Sequence, residues 1–468
     1  MFKHLTGFAY NPSHVFHKNT VNQNHPENEN RIKLSLNRIR QIQADKYVAD
    51  YTDPSVHNEQ LDFSLTDYIL QEIHDDGYLQ TLKKLEKMSQ TEIDDLCRSF
   101  DSIAMTPESF KVAHEAAAYC VTLTKKVAEG ELKNAFALVR PPGHHAHDDC
   151  PQGFCVLNNV AICSQLAIEK KYAKKVLIVD FDIHHGNGTQ QFFYDDERVT
   201  YLSIHRYEHG NFWPHKRYSD YDCIGRGTGR GHNINIPINE NGGTHHDYLC
   251  ILFTIVIPFA RELQPDMVFI SAGFDACIGD PIGYMDVIPE IFPHYIYQLA
   301  PMCNGKIVAI LEGGYNHSAV AVCVDMCLRV MIGEKPPYFK YNKVPRASTV
   351  ISCMNAIGAL REYWPYVNSF YDLAPYVAAG HQSVLPIFHD HFGISTTHTG
   401  NINQNNLRNL LNSHTPQIIK LPTTKLFNIN MEFPMFNVKN IPVDPHANQY
   451  EDLFSVSSKL QLKNYGKN

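Results

Sequence analysis

Residues 179–190 constrain the fold most strongly, because a buried-strand pattern ends there in acidic and imidazole side chains. The stretch reads Val-Asp-Phe-Asp-Ile-His-His-Gly-Asn-Gly-Thr-Gln and directly follows the apolar residues 176–178. Side chains alternate between the two faces of a strand, so Asp180, Asp182 and His184 would share one face if the backbone stayed extended. Such a face could bind a divalent ion. A polar strand end closed by an Asx turn would show the same local pattern, and both interpretations stay open at this point.

Three other apolar segments, at residues 135–139, 267–270 and 307–311, also run into polar side chains. The polar residues that follow the four segments are, in chain order, His144 and His145, then Asp180, Asp182 and His184, then Asp275, and finally Tyr315. Strand and helix patterns alternate along the chain, which favours a parallel sheet with helices on both faces. Ligands of open parallel sheets bind at the carboxyl ends of the strands. The sequence therefore predicts one hydrolytic site at that edge.

Length and composition fit a large α/β domain that is followed by an extension. The chain has 468 residues, of which 44% are hydrophobic and 19% charged, so it can bury a sizeable core. We assign residues 1–365 to a single domain. Residues 366–468 are assigned to a C-terminal extension of unknown fold, because much of that segment is rich in Asn, Thr and Pro with isolated apolar clusters.

Charge, cysteine usage and hydropathy argue against several classes of protein. The formal net charge is -8, and no basic block is available to neutralise phosphates, so direct nucleic-acid binding is not expected. The twelve cysteines lack Cys-x-x-Cys spacing, which indicates reduced thiols inside a cell. The N-terminus has no signal-peptide core, and the longest apolar stretch, residues 248–260, is too short to cross a bilayer. We expect a nuclear or cytoplasmic protein that does not enter a membrane.

Taken together, these motifs resemble the zinc-dependent histone deacetylase family, and in detail its class II branch. The resemblance covers roughly residues 6–337 and keeps the family's order of motifs. The matching segments are His25-Pro26-Glu27 with Arg31, then residues 140–146, 153–155, 179–190, 202–207, 271–275 with 279–281, and 311–316. The resemblance implies an arginase-like α/β fold with a central eight-stranded parallel sheet flanked by helices. It also implies a hydrolase that removes the acetyl group from lysine side chains.

The resemblance assigns the metal and the oxyanion donor to particular residues. Asp182, His184 and Asp275 match the ligands of one catalytic zinc ion. Two carboxylates and one imidazole leave room for water and for the substrate oxygen. Tyr315 matches the tyrosine whose hydroxyl donates to the developing oxyanion. A subgroup of class II has histidine at this position and deacetylates poorly, so Tyr315 predicts an active enzyme.

The resemblance also assigns the proton-transfer groups. His144 and His145 match the family's tandem base and acid, and Asp180 matches the buried partner that orients His144. At the second partner position class I enzymes have aspartate, whereas this chain has Asn187, as in class II. A neutral amide holds a positive charge on His145 less strongly than a carboxylate would, so His145 is the expected base.

Other matching residues concern the substrate. Gly153 and Phe154 match one wall of the acyl-lysine tunnel, and Trp213 matches the second wall, which is usually phenylalanine in the family. Ser102 matches a rim residue that bonds to the substrate backbone. Polyamine-specific relatives have an acidic gatekeeper where this chain has Ile282, so we expect acetyl-lysine protein substrates, either histone tails or cytoplasmic proteins.

The family commonly binds a structural monovalent cation close to the catalytic metal, and we expect potassium. The residues that match its binding site are Asp180, Asp182, His184, Ser203 and Ile204.

Three alternatives remain open from the sequence. The first is an enzyme that hydrolyses acetylpolyamines or other small acetylated amines. The second is a reader of acetyl-lysine or a corepressor scaffold that binds without turnover. The third, a dimanganese enzyme like arginase, is less favoured because it needs more carboxylate ligands than these motifs provide.

Overall fold

Eight short strands form one sheet at the centre of the computed structural model, which describes residues 6–41, 44–52, 61–339, 345–365 and 367. The strands are β1 (Thr6–Tyr10), β2 (Ala49–Asp50), β3 (Asn134–Leu138), β4 (Val176–Asp180), β5 (Val199–Arg206), β6 (Asn233–Ile238), β7 (Met267–Ala272) and β8 (Ile307–Leu311). Their order is β2-β1-β3-β8-β7-β4-β5-β6, and all seven pairings between them are parallel. The predicted eight-stranded parallel sheet is confirmed.

Helices connect the strands and cover both faces of the sheet. In the first half of the chain they are α1 (Asn30–Gln41), α2 (Phe63–Ile73), α3 (Asp76–Lys84), α4 (Gln90–Cys97), α5 (Ser109–Ala128), α6 (Asn159–Glu169) and α7 (Asn187–Phe193). In the second half they are α8 (His245–Ile251), α9 (Ile257–Leu263), α10 (Phe292–Leu299), α11 (His317–Met331) and α12 (Ala347–Leu360). The alternation of strands and helices that the sequence predicted is therefore present.

The apolar runs become central strands because both of their faces are buried. In β4, Leu177 and Val179 pack into the core on one side of the sheet, whereas Val176 and Ile178 pack into the core on the other side. A strand buried on both faces has a continuous apolar sequence rather than an alternating one. Each of these side chains contributes about 1.5–3 kcal/mol through burial.

The strand order explains why the polar residues meet. The four strands that precede the predicted site residues are β3, β8, β7 and β4, and they are consecutive neighbours in the middle of the sheet. All four run in the same direction, so their carboxyl ends lie side by side. The sheet thereby delivers the polar turns to one place.

The longest apolar stretch, residues 248–260, spans two α-helices rather than one. A π-helical turn at Leu252–Val256 separates α8 from α9. Pro258 lacks an N–H group and is tolerated only in the first turn of a helix, so the chain restarts its helix there. Among the described helices, none combines the length and the apolar character needed to cross a membrane. Except for Val367, the proposed extension 366–468 lies outside the described residues.

Candidate active site

The turn after β4 brings acidic and imidazole groups together through local hydrogen bonds. The strand ends at Asp180, whose Oδ1 accepts from the Asp182 N–H at 3.1 Å. The Asp182 Oδ1 in turn accepts from the His184 N–H at 2.9 Å. The backbone therefore does not stay extended, and the Asx-type turn of the alternative interpretation is present. It gathers the side chains of Asp182 and His184, because the His184 Nδ1 lies 3.2 Å from the Asp182 Oδ1.

A third group reaches this cluster from the turn after β7. The Asp275 Oδ2 lies 2.9 Å from the His184 Nδ1, and one possible ligand atom from each of Asp182, His184 and Asp275 lies within 4.8 Å of the others. Backbone amides fix both carboxylates, since the Ile183 N–H donates to the Asp275 Oδ1 at 2.7 Å and the Gly313 N–H donates to the Asp182 Oδ2 at 2.8 Å. All three side chains are buried.

The electrostatics of the cluster favour a bound cation. Burial and the neighbouring Asp182 carboxylate raise the pKa of Asp275 to about 7. Burial lowers the pKa of His184, but the carboxylates of Asp275 and Asp182 outweigh this effect and raise it to about 10. Two buried carboxylates at this separation are unfavourable without a compensating positive charge. Two carboxylates and one imidazole fit Zn²⁺ and leave coordination positions open.

The tandem histidines follow β3 and each pairs with a different partner. The His144 Nδ1 lies 3.1 Å from the Asp180 Oδ2, which also accepts from the Tyr201 hydroxyl at 2.9 Å. The His145 Nδ1 lies 2.8 Å from the Oδ1 of Asn187, the first residue of α7. The structure therefore forms both histidine–partner pairs that the sequence predicted.

The two histidines have pKa shifts of opposite sign. Burial opposes a charge on His144, but the carboxylates of Asp182 and Asp180 prevail and raise its pKa to about 10. Burial and the positive charges of His144 and His184 hold the pKa of His145 well below its usual value. A carboxylate partner thus favours a charged His144, whereas His145 beside a neutral amide stays available as a base.

Tyr315 faces the cluster from the turn after β8. A Cβ atom placed on Gly313 would lie 3.2 Å from the Tyr315 hydroxyl and would collide with Asp182 and Asp275, so these groups converge above the glycine. The Tyr315 N–H donates to the Asp280 Oδ2 at 2.7 Å, which fixes the turn. Burial raises the pKa of Tyr315 well above 10, so its hydroxyl keeps its proton as a donor.

Aromatic side chains stand close to the histidines. The Trp213 ring meets the His145 ring edge-to-face at 4.5 Å, and the Phe154 ring meets that of Tyr315 at 5.7 Å. Gly153 has φ +54°, and a Cβ there would collide with the Trp213 ring. Phe212, for which no role was predicted, stacks on His184 at 5.3 Å with an interplanar angle of 16°. Its position beside Trp213 was the available signal.

The remaining predicted residues lie at the rim or behind the site. Ser102 is exposed, and its hydroxyl donates to the Asp101 Oδ1 at 2.8 Å. Ile282 is half-buried on the loop after Asp275. Ser203 is in register with Asp180 across β4 and β5, and Ile204 follows it in the buried strand.

Glu312 is a buried acid in one of the matching segments for which no role was predicted. The Glu312 Oε2 accepts from the N–H groups of Gly143 and His144 at 2.6 and 3.0 Å and so fixes the tandem-histidine turn. Burial raises the pKa of Glu312 to about 7. An acidic residue placed directly after a buried strand, before two glycines, was a signal that the sequence did offer.

The fold and this arrangement at its carboxyl edge define an α/β protein of the arginase/deacetylase class. The crystal structure of the HDA15 HD domain has the same fold, with a TM-score of 0.69 at 30% identity over 79% of this chain and 99% of that chain. The profile of the histone deacetylase domain matches residues 25–331. The chain belongs to the histone deacetylase family and, as its relatives indicate, to the class II branch.

Curated relatives cover both protein and polyamine deacetylases. Histone deacetylase 6 of Caenorhabditis elegans is 41% identical over 78% of this chain and 37% of its own length. The human polyamine deacetylase HDAC10 is 36% identical over 72% of this chain and 49% of its own length. Histone deacetylase 18 of Arabidopsis thaliana is 39% identical over 64% of this chain and 44% of its own length. The chain therefore matches less than half of each of these relatives.

Proposed function

We propose that this chain is a zinc-dependent protein lysine deacetylase that hydrolyses the acetyl amide of N-ε-acetyl-lysine. The observation that carries the proposal is the convergence of three kinds of group at one sheet edge. These are a buried cluster with the chemistry of a divalent-ion site, a neutral histidine and a protonated tyrosine. Together they supply a Lewis acid site, a base and an oxyanion donor, which are the requirements of metal-assisted amide hydrolysis.

Asp182, His184 and Asp275 would hold the zinc. When bound, zinc supplies Lewis acidity that polarises the amide carbonyl and lowers the pKa of a nearby water molecule. The buried carboxylates and their backbone donors hold the site rigid before the metal arrives.

The chain's own residues account for the proton movements. His145 takes the proton from the attacking water at Nε2 while its Nδ1–H remains bonded to Asn187. The Tyr315 hydroxyl donates to the carbonyl oxygen as negative charge develops there. As the C–N bond breaks, His145 returns the proton to the lysine nitrogen, and acetate is released. The positive charge of His144, held by Asp180, stabilises the negative charge on the reacting amide.

The substrate class is proposed from the rim of the site. Phe154 and Trp213 would form the walls around the lysine stem, with Gly153 allowing close approach and Ser102 available to the substrate backbone. Ile282 offers no charge for a cationic amine. These features favour an acetylated protein over an acetylpolyamine.

A second candidate is acetylpolyamine hydrolysis, because relatives named polyamine deacetylases match 64–72% of the chain at 36–38% identity. Comparing kcat/KM for an acetyl-lysine peptide and for an acetylpolyamine separates the two candidates. The proposal predicts preference for the peptide in the wild type, with Ile282→Glu shifting the preference toward the polyamine. A wild-type preference for the polyamine would instead establish the second candidate.

The metal requirement is tested by acetate release from an acetyl-lysine peptide with and without a chelator. We expect turnover by the zinc-loaded wild type and no turnover after chelation, with recovery when zinc is restored. Asp275→Ala should lose both zinc and turnover. If the chelated, metal-free protein stayed fully active, the zinc-dependent mechanism would be wrong.

The proposal also covers a second cation, the cellular location and the partners of the enzyme. We propose that potassium binds near Asp180, Asp182, His184, Ser203 and Ile204, which the pairing of Ser203 with Asp180 across neighbouring strands supports. We also propose that the protein acts in the nucleus or the cytoplasm on acetylated histone tails or cytoplasmic proteins, with a corepressor complex as a further partner.

A further inference from the structure

The carboxylate of Asp101, at the rim of the site, accepts hydrogen bonds from the Trp213 wall and from the loop that contains Gln152. The Asp101 Oδ2 accepts from the indole N–H of Trp213 at 3.0 Å and from the Nε2–H of Gln152 at 3.4 Å. The backbone carbonyl of Asp101 also accepts from the Gly153 N–H at 3.0 Å, and the carbonyl of Ser102 accepts from the Phe154 N–H at 2.9 Å. Asp101 is therefore bonded to both sides of the pocket entrance.

From Asp101 a chain of two amides leads inward to His145. Gln152 is buried, and its Oε1 accepts from the Nδ2–H of Asn187 at 2.6 Å. The Asn187 Oδ1 lies 2.8 Å from the His145 Nδ1. Three hydrogen bonds thus link a carboxylate at the rim to the expected base.

The Asp101 carboxylate fixes the direction of every hydrogen bond between Asp101 and His145 along this route. An ionised carboxylate can only accept, so the NH₂ group of Gln152 must face Asp101 and its Oε1 must face inward. Asn187 must then present its NH₂ group to Gln152 and its Oδ1 to His145. An oxygen at that position requires a proton on the His145 Nδ1, which leaves the Nε2 with the lone pair that a base needs.

A second contact of Asn187 favours the same orientation. The Asn187 Nδ2 also lies 2.8 Å from the His147 Nε2. The His147 Nδ1 meets the Gln191 Oε1, and the Gln191 Nε2–H donates to the Asp148 Oδ1 at 3.2 Å, so His147 presents an unprotonated Nε2 to Asn187. The outer contacts of this second route are exposed to solvent, whereas the bond between Gln152 and Asn187 is buried, so the route from Asp101 through Gln152 is the better protected of the two.

We propose that Gln152 is a positioning residue that transmits the polarity of Asp101 through Asn187 and thereby sets the tautomer of His145. As far as catalysis is concerned, this inference rests on the proposed function, in which His145 is the base. It adds that the base and the Trp213 wall share one anchor, Asp101.

The test combines histidine ¹⁵N NMR of the zinc-loaded protein with peptide kinetics. The His145 signals are assigned by comparison with His145→Phe. In the wild type we expect the neutral Nδ1–H tautomer. Gln152→Leu removes both links of the amide chain at similar volume. We expect a mixture of tautomers, little change in KM, and a fall in kcat in proportion to the lost Nδ1–H fraction, which is about 10-fold where one tenth of that tautomer remains.

A double variant separates polarity from packing. In Gln152→Glu combined with Asp101→Asn, the new carboxylate accepts from Asn187 on its inner side and from the new amide on its outer side. The new NH₂ group takes the place of the Asp101 Oδ2, so the Trp213 indole N–H loses its acceptor in this variant. The hydrogen-bond direction from position 152 inward is preserved, so we expect the Nδ1–H tautomer to return, with only partial recovery of kcat because Trp213 has lost its acceptor. The matched control is Gln165→Leu, which removes another glutamine–carboxylate contact, to Glu169 at 3.1 Å, and should behave as the wild type.

The outcomes distinguish this inference from the proposed function. If Gln152→Leu keeps the Nδ1–H tautomer, or if the double variant does not restore it, the positioning role is overturned. If the tautomer changes as expected but the wild type does not hydrolyse acetyl-lysine peptides, the proposed function fails while the positioning role stands.

Discussion

Glu27→Gln should destabilise the protein strongly, because Glu27 neutralises a guanidinium that has no access to solvent. The Arg140 side chain is 0% exposed and that of Glu27 is 3% exposed. The Arg140 Nη2 donates to the Glu27 Oε2 at 2.6 Å, and its Nε donates to the other carboxylate oxygen. Arg31 also contacts Glu27 at 3.3 Å. The substitution keeps the shape of the side chain, removes its charge and replaces one accepting oxygen by an NH₂ donor.

The magnitude follows from the burial of the pair. Removing one partner of a buried ion pair typically costs about 3–5 kcal/mol, because the other charge is left uncompensated. Two backbone carbonyls still accept from Arg140, at 2.7 and 3.2 Å, but they do not neutralise it. We therefore expect the free energy of unfolding to fall by about 3–5 kcal/mol.

Urea unfolding followed by circular dichroism measures this change. The control is Glu29→Gln, which breaks an exposed pair with Lys33 at 3.3 Å and should cost no more than about 0.5 kcal/mol. The Arg140 guanidinium holds the pKa of Glu27 well below its usual range despite burial. The ionised Glu27 should therefore stabilise the fold fully at neutral pH. The difference in free energy of unfolding between the wild type and Glu27→Gln should narrow only in strong acid, where Glu27 becomes protonated. Equal stability of Glu27→Gln and Glu29→Gln at pH 7 would show that Glu27 does not compensate a buried charge.

Three further predictions concern pH, the glycine in the site and the metal. Burial lowers the pKa of His74 to about 4, and the neutral ring accepts from the Asn158 N–H at 3.1 Å through its Nε2. Protonation of His74 therefore favours the unfolded state, and the free energy of unfolding should fall by on the order of 2–3 kcal/mol as the pH drops from 6.5 to 4. The free energy of unfolding from urea titrations should depend less on pH in His74→Gln than in the wild type. An equal dependence in both proteins would contradict the lowered pKa of His74. Gly313→Ala should abolish zinc binding, measured as zinc per chain, because its methyl group would collide with Asp182 and Asp275; normal zinc content would refute this. Chelation should lower the thermal unfolding midpoint, since zinc at 100 times its Kd stabilises the folded protein by about 2.7 kcal/mol. An unchanged midpoint would argue against stabilisation of the fold by bound zinc.

The sequence was sufficient to predict the sheet and the convergence of the polar turns. Buried parallel strands need apolar residues on both faces, and β4 shows that pattern without interruption. Polar residues directly after such strands must lie at one edge, so the grouping of Asp182 with Asp275 was predictable although 93 residues separate them in the numbering. The turn after β4 was predicted less well, because hydrogen bonds from backbone to carboxylate end the extended conformation at Asp180.

The features that the sequence did not predict depend on tertiary packing and on the direction in which side chains point. The sheet order β3-β8-β7-β4 follows from how helices pack across both faces, which no local pattern encodes. Gln152 lies on an irregular loop, and its link to Asn187 joins two amides 35 positions apart. Only the donor and acceptor geometry of the folded chain identifies it as part of the site. The stack of Phe212 on His184 likewise depends on a loop conformation.

The central claim is that this site hydrolyses acetyl-lysine with Tyr315 as the oxyanion donor. The most direct test measures kcat/KM for an acetyl-lysine peptide in the zinc-loaded wild type and in Tyr315→Phe, with zinc per chain determined for both. The account predicts turnover by the wild type and a loss of about 10²–10³-fold in kcat for Tyr315→Phe at unchanged zinc content. Full activity of Tyr315→Phe, or a zinc-loaded wild type that does not release acetate, would contradict it.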